Sequence, residues 1–240
     1  MSLANSATAA RIRQNVADVR GKMNEAARRS GRDAGQIYLV GVTKYVGPEI
    51  ARLVADAGID QLGESRPQEL WRKAEALADR KVYWHLIGHL QRNKVKKTVE
   101  HAAVIHSVDS LRLLEEINVQ ASQRPLPVSD VLLEVNVSGE TAKHGLQPTE
   151  VEQLITQISE LKHVAVLGLM AMSGLDSSPD EKRREFSALR ELRDKLGVVH
   201  RPNVVLNELS MGMSDDFEIA IEEGATIVRV GSALFEGVKD

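Results

Sequence analysis

Eight short apolar runs, separated by segments with helical periodicity and with a short final helix expected after the last, constrain this chain more than any other feature. They are IYLVGVT (37–43), IDQLGE (59–64), VYWHLIG (82–88), AAVIHSVD (102–109), DVLLEVNV (130–137), VAVLGLMAM (164–172), NVVLNELSMG (203–212) and TIVRVGSALF (226–235). Runs this continuous read as strands buried on both faces, which means a parallel sheet. Between them lie helix signals. Pro48 and Glu49 open one helix, and Ser65 with Gln68 has capping-box spacing for the next. Further helices are expected near 91–100, 110–122 and 180–196, with Thr149 and Glu152 opening another. Ser214, Asp215 and Asp216 suit the first turn of a helix ending near Gly224. Ile12, Val16, Val19, Met23 and Ala26 form the apolar stripe of a leading helix stopped by Gly31. Eight such units in 240 residues fit an α/β fold, a single (β/α)8 TIM barrel with an extra N-terminal helix. One domain over 1–240 is expected, its core about 9–237. A doubly wound open sheet is the alternative.

Composition removes several classes of function. Cysteine is absent, so disulfides, thiolate metal sites and a cysteine nucleophile are impossible. Lys+Arg of 31 against Asp+Glu of 34 gives a net charge of −3, with no basic excess for nucleic acid. The start, MSLANSATAARIRQ, lacks a signal peptide's apolar run. No run approaches the ~18 apolar residues of a membrane span. A cytoplasmic protein is therefore expected, and the sequon Asn136-Val137-Ser138 reads as chance.

In a barrel, chemistry sits where strands end. Lys44 ends the first strand, which places its ammonium at the barrel mouth. A lysine there either forms a Schiff base with a carbonyl or snorkels from a strand end. Gly231-Ser232 and Ser210-Met211-Gly212-Met213-Ser214 occupy the loops that barrels use for phosphate, or are turn glycines and N-caps. Arg229 points inward if Val228 and Val230 face the helices, either toward a ligand or into a salt bridge with Glu64 or Glu208. His85 and His89, four apart across a strand end, do not read as a metal pair, and no metal site is expected. Arg92, Lys94, Lys96 and Lys97 read as a solvated helix face. A lysine, a phosphate cup and an arginine in one mouth suggest pyridoxal 5′-phosphate (PLP). The arginine, donor only, would keep the pyridine nitrogen unprotonated and the ring a weak electron sink.

The series V-x-V-T-K (40–44), G-E-S-R-P-Q-E (63–69), W-H-L-I-G-H-L-Q-R-N-K (84–94), H-S-V-D (106–109), G-L-M (168–170), L-S-M-G-M-S-D-D (209–216) and V-R-V-G-S-A-L-F (228–235) resembles the YggS/PROSC family of pyridoxal phosphate homeostasis proteins. The resemblance runs from about residue 9 to residue 237. It implies a barrel like the N-terminal domain of alanine racemase, with PLP as a Schiff base on Lys44. It also implies phosphate contacts from Ser210, Gly231 and Ser232, with Arg229 near the pyridine nitrogen and Ser65, His85 and Met170 around the ring. Ser65 stands where the family usually has Asn, so the side chain is shorter and lacks the amide.

Racemisation needs proton delivery at both faces of a carbanion, and related racemases bring a second-domain tyrosine for one face. Here Tyr38 and Tyr83 fall within strands and only Tyr45 adjoins the lysine. Eight units and a leading helix consume the length, which leaves no room for a second domain. The expectation is a monomeric PLP carrier without robust turnover, supplying PLP-requiring apoenzymes. A racemase-like enzyme is the runner-up, and a Schiff-base aldolase is a third reading. The basic segment around Lys94 and Lys96 would influence release if it reaches the phosphate.

Overall fold

The computed structural model describes residues 3–140, 144–174, 176–198 and 201–238. Among these, eight parallel strands close into a barrel in sequence order. They are β1 (Tyr38–Val42), β2 (Gln61–Glu64), β3 (Tyr83–Leu86), β4 (Ala102–Val108), β5 (Ser129–Glu134), β6 (Val164–Met170), β7 (Val204–Ser210) and β8 (Ile227–Val230). A long helix α1 (Leu3–Arg29) comes first. Seven helices follow the strands: α2 (Pro48–Asp56), α3 (Pro67–Ala76), α4 (Val95–His101), α5 (Leu111–Ala121), α6 (Pro148–Gln157), α7 (Pro179–Leu196) and α8 (Phe217–Glu222). The closed barrel settles the choice against an open sheet, because β1 pairs with β8 over Tyr38↔Ile227 to Gly41↔Val230.

Among the described residues only a 3-10 turn, Ser232–Leu234, follows β8, where the repeat calls for an eighth helix. The leading helix takes that place. Its stripe of Ile12, Val16, Val19, Met23 and Ala26 is buried. The buried Asn15 amide donates to the carbonyls of Leu234 and Glu236 at 3.0 and 2.9 Å, tying α1 to the chain after β8. At its far end Arg29 pairs with Glu218 and Glu222 of α8. Arg20 donates to the Gly58 carbonyl beyond α2. The helix thus closes the ring between α8 and α2. It ends at Arg29, and Gly31, at φ +67°, lets the chain turn away.

Several local expectations need correction. The Ser65–Gln68 box does not form: Arg66 precedes α3 and its first turn is set by Pro67. Glu150, not Glu152, serves α6, accepting from the Gln147 amide at 2.7 Å. The segment near 91–100 splits into a 3-10 turn, Arg92–Lys94, and the short α4. β5 stops at Glu134, where Val135 leaves the ladder to bridge Leu146.

Between barrel and helices lies one continuous aliphatic core, as the aromatic content of 3% requires. Inside the barrel is a small second cluster, Val40, Leu132, Met170 and Ile227. The rest of the interior is polar. Gly168 permits the close approach of β6 to β7, because a Cβ there would lie 1.8 Å from the Glu208 carbonyl oxygen.

Replacing Asn15 with Ala should lower stability by about 1–3 kcal/mol, since it strands carbonyls whose donor is buried beside them. A reduced urea midpoint with unchanged far-UV dichroism would show it.

Candidate functional site

Register decides which side chains enter the barrel. Val40 lies in the interior cluster, and its partner on β8 is Arg229. Val228 and Val230 belong to the outer core, so Arg229 does point inward. Met170 is paired with Ser210, and His85 with Gly63 and Val104. His85, Met170, Ser210 and Arg229 are all buried.

These residues form a continuous hydrogen-bonded chain. Arg229 donates through Nη1 to Ser210 Oγ at 2.6 Å and through Nη2 to the Ala171 carbonyl at 3.0 Å. Ser210 Oγ lies 2.9 Å from His106 Nδ1, His106 Nε2 lies 2.8 Å from His85 Nδ1, and His85 Nε2 lies 2.8 Å from Gln61 Oε1. The two ends fix the direction of every bond. Guanidinium only donates and an amide oxygen only accepts. With both imidazoles neutral, Ser210 must donate to His106, His106 Nε2–H to His85, and His85 Nε2–H to Gln61. Neutrality follows from burial. It pulls His85 down to about 4 despite the Asp60 charge. Burial, with His85 and Arg229 nearby, holds His106 well below its usual range. Burial also lowers Arg229, to about 10, against Asp216 and Glu134, so the guanidinium stays charged at neutral pH.

Neither salt bridge considered for Arg229 exists. Glu208 accepts instead from Thr226 at 2.5 Å. Glu64 is held by Lys73, whose ammonium bonds its Oε1 and the Thr43 carbonyl, and by the Thr43 hydroxyl at 2.6 Å. Both members of the Glu64–Lys73 pair are 1% exposed. This buried pair fastens α3 to the residue immediately before Lys44.

At the rim, Lys44 and Tyr45 are exposed, the ammonium 4.8 Å above the Tyr45 ring. Gly41 pairs with Val230, so Lys44 and the Gly231-Ser232 turn leave the barrel side by side. A Cβ on Gly231 would touch Val42 at 3.4 Å. Ser214 is not an N-cap of α8. Its hydroxyl accepts from the Gly231 amide at 3.1 Å, joining the β7 and β8 loops. Gly212, at φ +92°, has no room for a side chain, since a Cβ would sit 2.5 Å from that of Ala220. Asp216 caps the same loop, accepting from the Met213 amide and the Ser173 hydroxyl at 2.6 Å each.

Ser65 is half-buried and lines a rim cavity of about 540 Å³ with Arg66, Gln68, His89, Gln91 and Lys94. Lys94 therefore faces this cavity, while Lys97 stacks on Trp71 and pairs with Glu75. His85 and His89 part company, one inside the barrel and one exposed at its mouth. Sequence reasoning missed Gln61, Lys73 and His106 as functional positions. Lys73 lies between Leu70 and Leu77 at i+3 and i−4, on the buried stripe of α3, and His106 shares strand parity with Val104.

The alanine racemase N-terminal domain family matches residues 7–238. A pyridoxal phosphate homeostasis protein from Aquifex aeolicus is 45% identical over 214 residues, covering 89% of this chain and 92% of the relative. The chain belongs to the pyridoxal phosphate homeostasis protein family. Among solved members, PipY of Synechococcus elongatus with PLP bound superposes with a TM-score of 0.81 at 33% identity, covering 93% of this chain and 99% of that one. Alanine racemase from Clostridium difficile shares the fold, with a TM-score of 0.69 at 18% identity; 91% of this chain covers 59% of that enzyme.

The neutral histidines carry a stability signature. His85 has an ordinary value of 6.5 and a folded value of about 4, so the unfolded chain binds more protons between those limits. Stability from this residue is full above about pH 6.5 and is lost as pH falls toward 4, by about 3 kcal/mol. Urea midpoints between pH 7 and 4.5 should fall for the parent and flatten in His85→Asn.

Proposed function

We propose that this chain binds PLP, holds it covalently through the Lys44 amine, and buffers or delivers it to cofactor-requiring apoenzymes without robust turnover. The observation that carries the reading is the union of an exposed lysine amine with the Gly231-Ser232 turn on adjacent strand ends, in the fold that holds PLP in PipY. The donor set fits the cofactor. Lys44 offers a nucleophilic amine, Ser232 and Ser214 offer hydroxyls, and Arg229 has N–H groups to spare beyond those given to Ser210 and Ala171. When bound, PLP supplies an aldehyde for the lysine and a phosphate for the hydroxyl and amide donors.

Each residue then has a task. Lys44 anchors. Gly231 and Ser232 receive the phosphate beside it. Arg229 serves the pyridine nitrogen as a donor. Met170 and His85 line the interior beneath, and Ser65 bounds the mouth. Ser210 has a task beside the phosphate contact expected of it. Its one hydroxyl proton is committed to His106, so a phosphate oxygen there would compete with the histidine. Its principal role is to accept from Arg229 and orient the guanidinium.

The placement of acids and bases supports a carrier. Tyr38 and Tyr83 begin β1 and β3, so they lie at the end of the barrel opposite Lys44. Tyr45 alone is near the lysine, and it is 82% exposed. The two interior histidines are neutral with both protons committed. A racemase-like reading would need Tyr45 as the second acid or base, and the Lys44–Tyr45 proximity is the observation in its favour. An exposed phenol lacks the burial and partners that tune a catalytic group. Among the described residues no helix is long and apolar enough to cross a membrane.

Protein incubated with PLP and reduced with borohydride should carry the cofactor mass on Lys44. Its yellow absorbance should vanish in Lys44→Ala while far-UV dichroism is kept. Modification of another lysine would overturn the anchor. Racemisation or transamination of amino acids well above the Lys44→Ala control would overturn the carrier reading.

A further inference from the structure

On the rim formed by β3, β4 and β5, three side chains converge that the cofactor site does not use. His89 follows β3, Asp109 follows β4, and His144 lies in the loop between β5 and α6. One nitrogen of each imidazole and one Asp109 oxygen lie within 4.8 Å of one another. The two rings stack at 4.9 Å with planes 19° apart, and His89 Nδ1 is 3.6 Å from the Asp109 carboxylate. We propose that His89, Asp109 and His144 form a site for a divalent transition-metal ion of the zinc class.

The donor chemistry favours such an ion. Imidazole suits Zn²⁺, Co²⁺ and Ni²⁺, and two imidazoles with a carboxylate leave a coordination position open to water or an exogenous donor. Tetrahedral ligands at ~2.0–2.2 Å from zinc stand about 3.3–3.6 Å apart, so closure asks for small rotations of the exposed His89 and His144 and the half-buried Asp109 side chains.

The backbone beneath both histidines is already fixed. The Gly88 carbonyl, next to His89, accepts from the Ser107 hydroxyl at 2.7 Å. A Cβ at Gly88 would lie 2.2 Å from the Ser65 carbonyl oxygen, so that turn admits only glycine. Beside His144, Gly145 adopts φ +111°, and Leu146 is stitched to the end of β5 through Leu146 N–Glu134 O at 2.8 Å and Asn136 N–Leu146 O at 2.9 Å. His89 borders the cavity shared with Ser65 and Lys94.

The test uses untagged, full-length protein dialysed against chelator, with Zn²⁺ titrated by calorimetry and Co²⁺ followed by its visible d–d absorption. One ion per chain is expected, with an intense tetrahedral Co²⁺ band that Zn²⁺ bleaches. His89→Ala and His144→Ala should each weaken binding at least ~10–100-fold, the loss seen even for outer-shell partners. Asp109→Asn should weaken it in the same direction, and His163→Ala at the opposite end of the barrel should not. Absence of one-to-one binding, binding that survives His144→Ala, or equal loss in His163→Ala would overturn the site. The readout does not involve PLP, so a failure here leaves the Lys44 assignment standing, and the converse holds.

Discussion

The buried guanidinium of Arg229 is the constraint on which the interior depends. A charge placed inside a barrel must find acceptors, because its desolvation costs several kcal/mol and arginine does not escape by losing its proton. Ser210 and the Ala171 carbonyl supply them. At the far end of the barrel Gln61 Oε1 only accepts, so neutral His85 must donate to it and accept from His106. Neutral His106 must then accept from Ser210, which is left to accept from Arg229. An acceptor at β2 and a donor at β8 thus bracket the tautomers of two histidines on β3 and β4. Their neutrality, enforced by burial, is what lets each ring accept on one side and donate on the other.

This arrangement separates the molecule into a polarised interior and a reactive rim. Interior protons are all spoken for, so His85 and His106 are poorly placed to exchange protons with a ligand. Lys44 stands outside, in contact with solvent and with Tyr45. Such a division suits capture and release. The Glu64–Lys73 pair extends the rigid part to the residue before Lys44. Breaking it from the lysine side would leave a buried carboxylate whose Oε2 already lacks a partner among the described residues.

The barrel was legible because its strands are buried on both faces, and the inward aim of Arg229 followed from parity with Val228 and Val230. What parity cannot give is the partner across the barrel. Glu64 and Glu208 were reasonable acceptors by level, yet each is consumed by a residue with no sequence signature, Lys73 in one case and Thr226 in the other. Lys73 shows the difficulty most plainly. A lysine on an apolar helix stripe reads as snorkelling until a carboxylate on β2 is found beneath it. Likewise the place of α1 in the ring was not visible, since nothing in it says that it packs beside the end of the chain. That knowledge resides in the Asn15 bonds to Leu234 and Glu236, which are more than two hundred residues distant.

Strand order also distributes chemistry around the mouth. In a closed ring of eight, β8 and β1 lie across from β4 and β5, so Lys44 and the Gly231-Ser232 turn face the loops carrying Asp109 and His144. The anchor side is built from small residues and donors, which suit a phosphate. The opposite side offers imidazole and carboxylate, which suit a cation. Both sides rest on backbone pinned by glycines that tolerate no side chain, Gly212 on one and Gly88 on the other. Strand order alone thus sets the two groups on opposite sides of one mouth.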